Sequence, residues 1–126
     1  MKQLLSLLLA TLGMTAACGQ QNYDNMDAHQ FAELIADSAV VILDVRTAEE
    51  YASGHIEGAI LLDQKQSDFM ERAKKILPSD KTIAIYCRSG RRSADAAGRL
   101  AKVGYKCVNL KGGIIAWQAA NFHIVF

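Results

Sequence analysis

The sequence predicts a single α/β domain with a mostly parallel central sheet and helices on both faces. Short apolar runs alternate along the chain with segments whose apolar residues recur at helical spacing, and this alternation is typical of such folds. Some runs, such as residues 40–43, are continuously apolar, as expected of strands that are covered on both faces. The 126 residues, 51% of them hydrophobic, suffice for one small domain with one core.

The first 17 residues have the pattern of an export signal. Lys2 is the positive start, residues 4–12 are apolar, and residues 15–17 are small, as a cleavage site requires. The apolar stretch is shorter than the roughly 20 residues that span a bilayer. The next residue, Cys18, resembles the lipidated cysteine of bacterial lipoproteins, which implies a lipid-anchored protein on the periplasmic side. The alternative is cleavage that leaves a soluble exported protein. Residues 18–27 are polar and are predicted to form a tether.

The first half of the domain, predicted to cover residues 28–126, contains two helices and two strands. Asp27 and Gln30 have the spacing of a capping box for a helix over residues 28–36. A strand over residues 40–43 follows, and Thr47 is expected to cap a short helix over residues 48–52 that ends at Gly54. Residues 59–62 form the next predicted strand.

The second half continues the same alternation. Ser67 is expected to cap a helix that ends before Pro78. The remaining predicted elements are a strand over residues 82–86, a helix over 93–102, a strand over 105–110 and a helix over 114–120. Trp117 in the last helix is expected to be a core residue, because aromatic side chains dominate core burial.

A candidate active site lies between the strand at 82–86 and the helix that follows it. Cys87 ends the strand, and Arg88, Arg91 and Arg92 follow within five residues. In an open α/β sheet this position is where ligands bind, and helix-start amides stabilise an anion there. Gly90 permits the tight turn that lets successive amides converge. Such surroundings lower a thiol pKa from about 8.5 to roughly 3.5–7.5, which makes Cys87 a candidate nucleophile. The alternative is a structural cysteine at a strand end.

This loop resembles the active-site loop of the rhodanese (sulfurtransferase) family. The resemblance extends over most of the chain after about residue 27, in the order in which the family carries its motifs. The matching segments are Leu43-Asp44-Val45-Arg46, Glu50-Tyr51, Gly54-His55-Ile56-Glu57-Gly58-Ala59, the Cys87 loop, and Asn109-Leu110-Lys111-Gly112-Gly113-Ile114 with Trp117.

The resemblance implies transfer of a sulfane sulfur through a persulfide on Cys87, without a cofactor. The donor would be a small anion such as thiosulfate, and the acceptor would be cyanide or a thiol, for example that of a redox protein. Arg92 and the loop amides are expected to stabilise the persulfide charge. The expected substrate-binding residues are Arg88, Ser89, Gly90, Arg91 and Arg92, and the expected supporting residues are Asp44, Arg46 and His55.

Two other functions use a similar loop. Cysteine phosphatases and arsenate reductases of the related type place five residues between cysteine and arginine, whereas four separate Cys87 from Arg92. A tetrahedral phosphate needs the larger ring, so the spacing favours sulfur transfer. The second alternative is a module that carries a persulfide or docks a partner without turnover, since common folds are reused in this way.

Composition argues against several further classes. Lys and Arg number 14 and Asp and Glu number 13, so the charges nearly balance. The protein therefore lacks the strong positive field that attracts nucleic acid. The cysteines and histidines do not have metal-ligand spacing, so no metal site is predicted. Cys107 is expected to be a small buried apolar residue. A redox pair between Cys87 and Cys107 remains an alternative that the spacing does not support.

Overall fold

A computed structural model describes residues 22–126. Strands and helices alternate along this part of the chain, as the sequence predicts. In order they are β1 (Asp24–Met26), α1 (Ala28–Ile35), β2 (Val41–Asp44), α2 (Ala48–Ala52), β3 (Ile60–Leu61), α3 (Phe69–Ile76), β4 (Thr82–Tyr86), α4 (Arg91–Lys102), β5 (Lys106–Leu110) and α5 (Gly113–Ala119).

The five strands form one parallel sheet in the order β1-β5-β4-β2-β3. The register pairs Asp44 with Tyr86 and Ile85 with Asn109, so strands β2, β4 and β5 end at the same edge of the sheet. Loops that follow these strands therefore meet at that edge, and one of them begins with Cys87.

Helices cover both faces of the sheet. On one face, α3 and α4 bury Phe69, Ala73 and Leu100 against β2 and β4. On the other face, α1 and α5 contribute Phe31 and the predicted core residue Trp117, which is 5% exposed. The predicted α/β architecture with a parallel sheet and helices around it is confirmed.

The helix caps follow the predictions in two of three cases. Asp27 accepts a hydrogen bond from the Gln30 amide at 2.8 Å, and the Gln30 side chain accepts one from the Asp27 amide at 3.0 Å. Thr47 caps α2 in the same reciprocal way with Glu50. The prediction that Ser67 caps α3 is wrong, because the helix starts one residue later and Asp68 occupies the cap position without a side-chain hydrogen bond.

The predicted tether over residues 18–27 is corrected at its end. Residues 24–26 form the edge strand β1, whose partner is β5. This strand is short and mostly exposed, so no hydrophobic alternation marks it. At the other end of the chain, Val125 makes an isolated antiparallel bridge with His55.

The predicted leader over residues 1–17 and the candidate lipidation site Cys18 lie outside the described residues. Within residues 22–126, no helix has the length and apolar character needed to cross a membrane.

Candidate active site

Cys87 sits in a tight turn between the central strand β4 and helix α4. The chain turns at Gly90, which has a φ of +101° and occupies the N-cap position of α4. A left-handed residue at this point is favourable for glycine because a Cβ would clash with the backbone. The turn directs the first amides of α4 toward the Cys87 side chain. The helix begins at Arg91, two residues before the predicted start.

The Cys87 sulfur accepts hydrogen bonds from the surrounding loop. The Gly90 amide donates at 3.1 Å and the Ser93 hydroxyl at 3.3 Å. Burial raises the pKa of the Cys87 thiol, but the Ser93 hydroxyl and the amides of Ser93, Gly90 and Ser89 lower it more, so that the net shift is downward. The loop at the start of helix α4 therefore favours the thiolate form of Cys87, which is the nucleophilic form.

The beginning of helix α5 supports the other side of the loop. The amide of Ile114 donates to the Cys87 carbonyl at 2.9 Å, and that of Ile115 donates to the Arg88 carbonyl at 3.2 Å. Gly113 has a φ of +60°, and a Cβ at this position would meet the carbonyl groups of Arg88 and Cys87. The close packing of α5 against the loop therefore requires glycine at this position.

The three arginines of the loop have different surroundings. Arg92 forms two hydrogen bonds with the Glu50 carboxylate, at 2.8 and 2.9 Å, and within the described chain no hydrogen bond joins it to Cys87. Arg88 and Arg91 are exposed, and neither takes part in an ion pair among residues 22–126. The groups at the sulfur are therefore amides and a hydroxyl, whereas the expected contact between Arg92 and the persulfide stays a prediction.

The predicted supporting residues lie around the loop without contacting the sulfur through hydrogen bonds. Arg46 is joined to Asp44 by a buried ion pair at 2.7 Å, and its Nη2 donates to the Gly54 carbonyl at 2.8 Å. His55 stacks on Tyr51 with ring centroids 3.7 Å apart, and its Nδ1 lies 2.9 Å from the Tyr51 carbonyl. These contacts fix the positions of the three side chains around the loop.

Comparison with known proteins agrees with this geometry. Residues 27–120 match the family described as the rhodanese-like domain. The chain belongs to the rhodanese-like domain family.

Several relatives of this rhodanese-like domain are known. A protein from Allochromatium vinosum named "Sulfurtransferase" is 36% identical over 104 residues, which cover 81% of this chain and 94% of that protein. A tRNA uridine(34) hydroxylase from Acinetobacter baumannii is 35% identical over 123 residues, but the match covers 93% of this chain and 38% of that protein. A crystal structure of a rhodanese-related protein from Thermoplasma volcanium superposes with a TM-score of 0.73 at 34% identity, covering 82% of this chain and 98% of that one.

The second buried thiol of the rhodanese-like domain is far from the first. Cys107 pairs with Ile83 in the sheet, four residues before Cys87, which corresponds to a separation of roughly 13 Å at about 3.3 Å per residue. A disulfide requires Cα atoms within about 7 Å, so these two cysteines cannot form one in this fold. Cys107 is 3% exposed, and burial raises its pKa to about 11. The expectation of a small buried apolar residue is confirmed.

Asn109 connects the edge of the sheet to the active-site loop. Its Nδ2 donates to Asn25 Oδ1 at 2.9 Å and to the Gly90 carbonyl at 3.4 Å. Asn109 Oδ1 is buried and has no hydrogen-bond partner within the part of the chain that the structure describes. Strand β1 is thus joined through one side chain to the turn that holds Cys87.

Sequence reasoning missed the roles of three residues in the site. Ser93 donates to the sulfur from the first turn of α4, and its position six residues after Cys87 was the available signal. Glu50 binds Arg92 and was marked in the sequence by its spacing from Thr47, which is that of a capping box. The close approach of Gly113 to the Cys87 loop had no local signal in the sequence. Within residues 22–126, no group of His, Cys, Asp or Glu is arranged to hold a metal ion.

Proposed function

We propose that this protein is a sulfurtransferase that moves a sulfane sulfur from thiosulfate or a similar anionic donor to a thiol or cyanide acceptor. The observation that carries the proposal is the cradle around Cys87, in which the Gly90 amide and the Ser93 hydroxyl donate to the sulfur. These donors lower the pKa of a thiol that burial alone would raise. Membership of the rhodanese-like family and the likeness to a protein named "Sulfurtransferase" support the same class of reaction.

The first half of the reaction loads the enzyme with sulfur. The Cys87 thiolate attacks the outer sulfur of thiosulfate and forms a new S–S bond. The bond between the two donor sulfurs breaks, its electron pair leaves with sulfite, and Cys87 carries an anionic persulfide. The outer sulfur lies about 2 Å beyond Sγ, the length of an S–S bond, and we expect the loop amides that surround Sγ to stabilise its charge.

The second half returns the enzyme to its starting state. The persulfide takes up a proton, and a thiolate acceptor attacks its outer sulfur. The S–S bond to Cys87 then breaks, and the electron pair returns to Sγ as a thiolate. The two half-reactions share one covalent intermediate, so the steady-state kinetics should be ping-pong. No step requires a cofactor.

The size of the loop also favours sulfur over phosphate. Cys87 is 1% exposed, so the reacting partner has to present one atom end-on to a nearly enclosed sulfur. The outer sulfur of a donor satisfies this requirement. A phosphate ester needs three equatorial oxygens to be held at once, and Arg92, the arginine that ends this loop, is bound to Glu50.

Intact-mass measurement tests the proposal directly. The protein is mixed with thiosulfate, and its mass is recorded with and without a reducing thiol. We expect one added sulfur that maps to Cys87, is removed by the thiol, and does not appear in the Cys87→Ser variant. If no sulfur is added by thiosulfate, polysulfide or mercaptopyruvate, the protein is a binding module instead. Hydrolysis of phosphate esters at a rate that rivals sulfur transfer would assign it to the phosphatases.

We further propose that the reaction takes place outside the cytoplasm, on a protein anchored by a lipid on Cys18. The support is the sequence of residues 1–18, with its positive start, apolar stretch and small residues before the cysteine. Labelled palmitate fed to expressing bacteria should be incorporated into the protein but not into its Cys18→Ser variant. An unlabelled protein in the periplasmic fraction would instead indicate ordinary cleavage, and retention in the cytoplasm would contradict export.

A further inference from the structure

An open pocket of about 250 Å³ borders the active-site loop. Arg88, which directly follows Cys87, lines it, and so does Glu50, which holds Arg92 at the other end of the loop. The volume is close to the lower end of the range of roughly 300–1,000 Å³ that is typical of small-molecule sites. The pocket therefore has room for a small organic molecule beside Arg88, the residue that follows the cysteine.

The charges around this pocket leave one arginine available for a ligand. The Arg46 charge is balanced by Asp44, and the Glu50 charge is balanced by Arg92, whose nitrogens contact both carboxylate oxygens. Arg88 is exposed, and no carboxylate pairs with it among residues 22–126. The pocket therefore carries one net positive charge, which favours an anionic ligand.

Arg46 supplies a second donor that is already fixed in position. The residue is 4% exposed and also lines the pocket. Its Nε and Nη2 bind Asp44 and the Gly54 carbonyl, whereas Nη1 has no acceptor among the residues that the structure describes. A buried guanidinium whose other nitrogens are held provides a preorganised hydrogen-bond donor for a carboxylate.

The pocket also has an apolar lining, made of Ile114, Ile115 and Ile124. The side chain of Ile115 is unusually accessible for an isoleucine, with 47% of the residue exposed. An inorganic oxyanion such as thiosulfate gains nothing from such a surface. A ligand with a short hydrocarbon chain would bury it, and burial of apolar surface is favourable. The pocket thus combines an anion site with an apolar contact.

We propose that this pocket binds the sulfur acceptor, and that the acceptor is a small organic thiol that carries a carboxylate. The assignment rests on the proposed sulfurtransferase function and specifies the substrate of its second half-reaction. The carboxylate binds Arg88 and Nη1 of Arg46, and the carbon chain lies on Ile115. The thiolate attacks the outer sulfur of the protonated Cys87 persulfide, the S–S bond to Cys87 breaks with its electron pair on Sγ, and an organic persulfide leaves.

The transfer test compares two acceptors that differ only in charge. Protein is loaded with sulfur by polysulfide and mixed with 3-mercaptopropionate or with its methyl ester, at equal thiolate concentrations. We expect the acid to react about ten- to one-hundredfold faster, because a charge-assisted hydrogen bond contributes that much to binding. Arg88→Gln should remove the preference for the acid. Ile115→Asn should slow sulfur transfer to both acceptors.

Lys111→Gln is the control, since it removes one positive charge from the turn that leads into helix α5, at an exposed residue outside the pocket lining. It should leave the preference intact. Equal loss of preference in Arg88→Gln and Lys111→Gln would mean that a long-range field, and not the pocket, selects the acid. Equal rates for the acid and the ester in the wild-type protein would also overturn the acceptor site. Failure to form any persulfide would count against the proposed function instead.

A binding measurement tests the pocket without turnover. Butyrate has the shape of 3-mercaptopropionate but cannot accept sulfur, and it is titrated into the Cys87→Ser protein while NMR shifts are followed. We expect saturable shifts at the Ile115 methyl groups and the backbone amide of residue 88, which Arg88→Gln abolishes and Lys111→Gln retains. Shifts confined to other parts of the domain, or no shifts, would contradict the proposed carboxylate site even if sulfur transfer occurs.

Discussion

Arg92 and Glu50 form a bidentate ion pair across the mouth of the active-site loop. Nη1 and Nη2 of Arg92 lie 2.8 and 2.9 Å from the two carboxylate oxygens. Oε1 of Glu50 also accepts a hydrogen bond from the Thr47 amide at 3.0 Å. One carboxylate therefore joins the first turn of α2 to the first turn of α4. The ion pair holds the arginine that ends the loop against Glu50, while amides and the Ser93 hydroxyl surround the sulfur.

The first prediction concerns the pH dependence of this ion pair. Hydrogen bonding to Arg92 lowers the pKa of Glu50 from 4.5 to about 2, so the folded protein binds fewer protons at this site than the unfolded chain. The stabilisation is present above about pH 4.5 and is lost as the pH falls toward 2. Because both side chains are partly exposed, Glu50→Gln should cost only about 1–2 kcal/mol near pH 7.

Urea unfolding between pH 7 and pH 3 measures this effect. The stability difference between the wild-type protein and Glu50→Gln should be constant above about pH 5 and shrink below that value. Glu49→Gln is the control, because Glu49 is an exposed neighbour in the same helical turn without an ion pair among the described residues. A pH-independent difference for Glu50→Gln would show that the ion pair does not stabilise the fold.

The second prediction separates the Ser93 hydroxyl from the loop amides as the cause of the lowered thiol pKa. The Ser93 side chain donates to Cys87 at 3.3 Å, whereas Ser89 contributes its backbone amide. Ser93→Ala should therefore raise the Cys87 pKa, and Ser89→Ala should leave it unchanged because the amide remains. Iodoacetamide alkylation against pH, with modification mapped by peptide mass, gives these values. The unfolded protein supplies the ordinary thiol pKa as a reference.

Alkylation of the folded protein reports on Cys87 alone within the described domain. Burial raises the pKa of Cys107 to about 11, so that thiol stays protonated over the range in which Cys87 titrates. If Ser89→Ala raised the Cys87 pKa as much as Ser93→Ala, the effect would come from a general loosening of the loop and not from the hydroxyl donor.

The third prediction concerns Gly113, where helix α5 meets the Cys87 loop. A Cβ at this position would lie 2.7 Å from the Cys87 carbonyl oxygen and would also meet the Arg88 carbonyl, so Gly113→Ala forces the loop to move. We expect a loss of stability of about 3 kcal/mol or more, from backbone strain and overpacking together, and a slower reaction of Cys87. Urea unfolding and alkylation rates measure the two effects.

Gly104→Ala separates backbone strain from the steric contact. Gly104 has a φ of +102°, but a Cβ there would meet nothing within 4 Å. Its substitution should lower the free energy of unfolding by the conformational strain alone, about 1–3 kcal/mol. The reactivity of Cys87 should be unchanged. Equal effects of both substitutions on Cys87 reactivity would show that α5 does not hold the loop in place.

The sequence predicts the Cys87 turn well because its parts are contiguous. Strand, cysteine, glycine and helix follow one another between Thr82 and Lys102, so local patterns are sufficient. The partner of Arg92 lies 42 residues away at Glu50, and that distance leaves no local signal for the ion pair. Helix α4 begins two residues earlier than predicted because its N-cap is a left-handed glycine without a capping side chain, which a search for polar caps cannot find.

Strand β1 shows the same limit for the fold. Asp24 and Asn25 are polar and exposed, so the segment has the composition of a tether. Its strand conformation arises from pairing with β5, a partner more than 80 residues away in the chain. Edge strands of this kind depend on tertiary context and not on intrinsic preference. The central strands β2 and β4, which are mostly apolar, were predicted to within one residue.

The final prediction concerns the buried ion pair between Asp44 and Arg46. Both side chains are at most 5% exposed, and Arg46 contacts the carboxylate through Nε and Nη2. Arg46→Met would leave the Asp44 charge buried without a partner, which costs about 3–5 kcal/mol. The Asp44→Asn/Arg46→Met double variant should cost less than the sum of the single variants, because the unpaired charge is then removed as well.

Urea unfolding of these variants distinguishes the role of burial from the role of charge. Arg99→Met is the matched control, since Arg99 pairs with Asp95 at 3.6 Å on the surface and the two side chains are 41% and 59% exposed. Solvent screens that pair, so its loss should cost about 0.5 kcal/mol or less. If Arg46→Met were no more destabilising than Arg99→Met, the ion pair with Asp44 would not hold Arg46 in the pocket wall. The carboxylate site proposed there would then lose its preorganised donor.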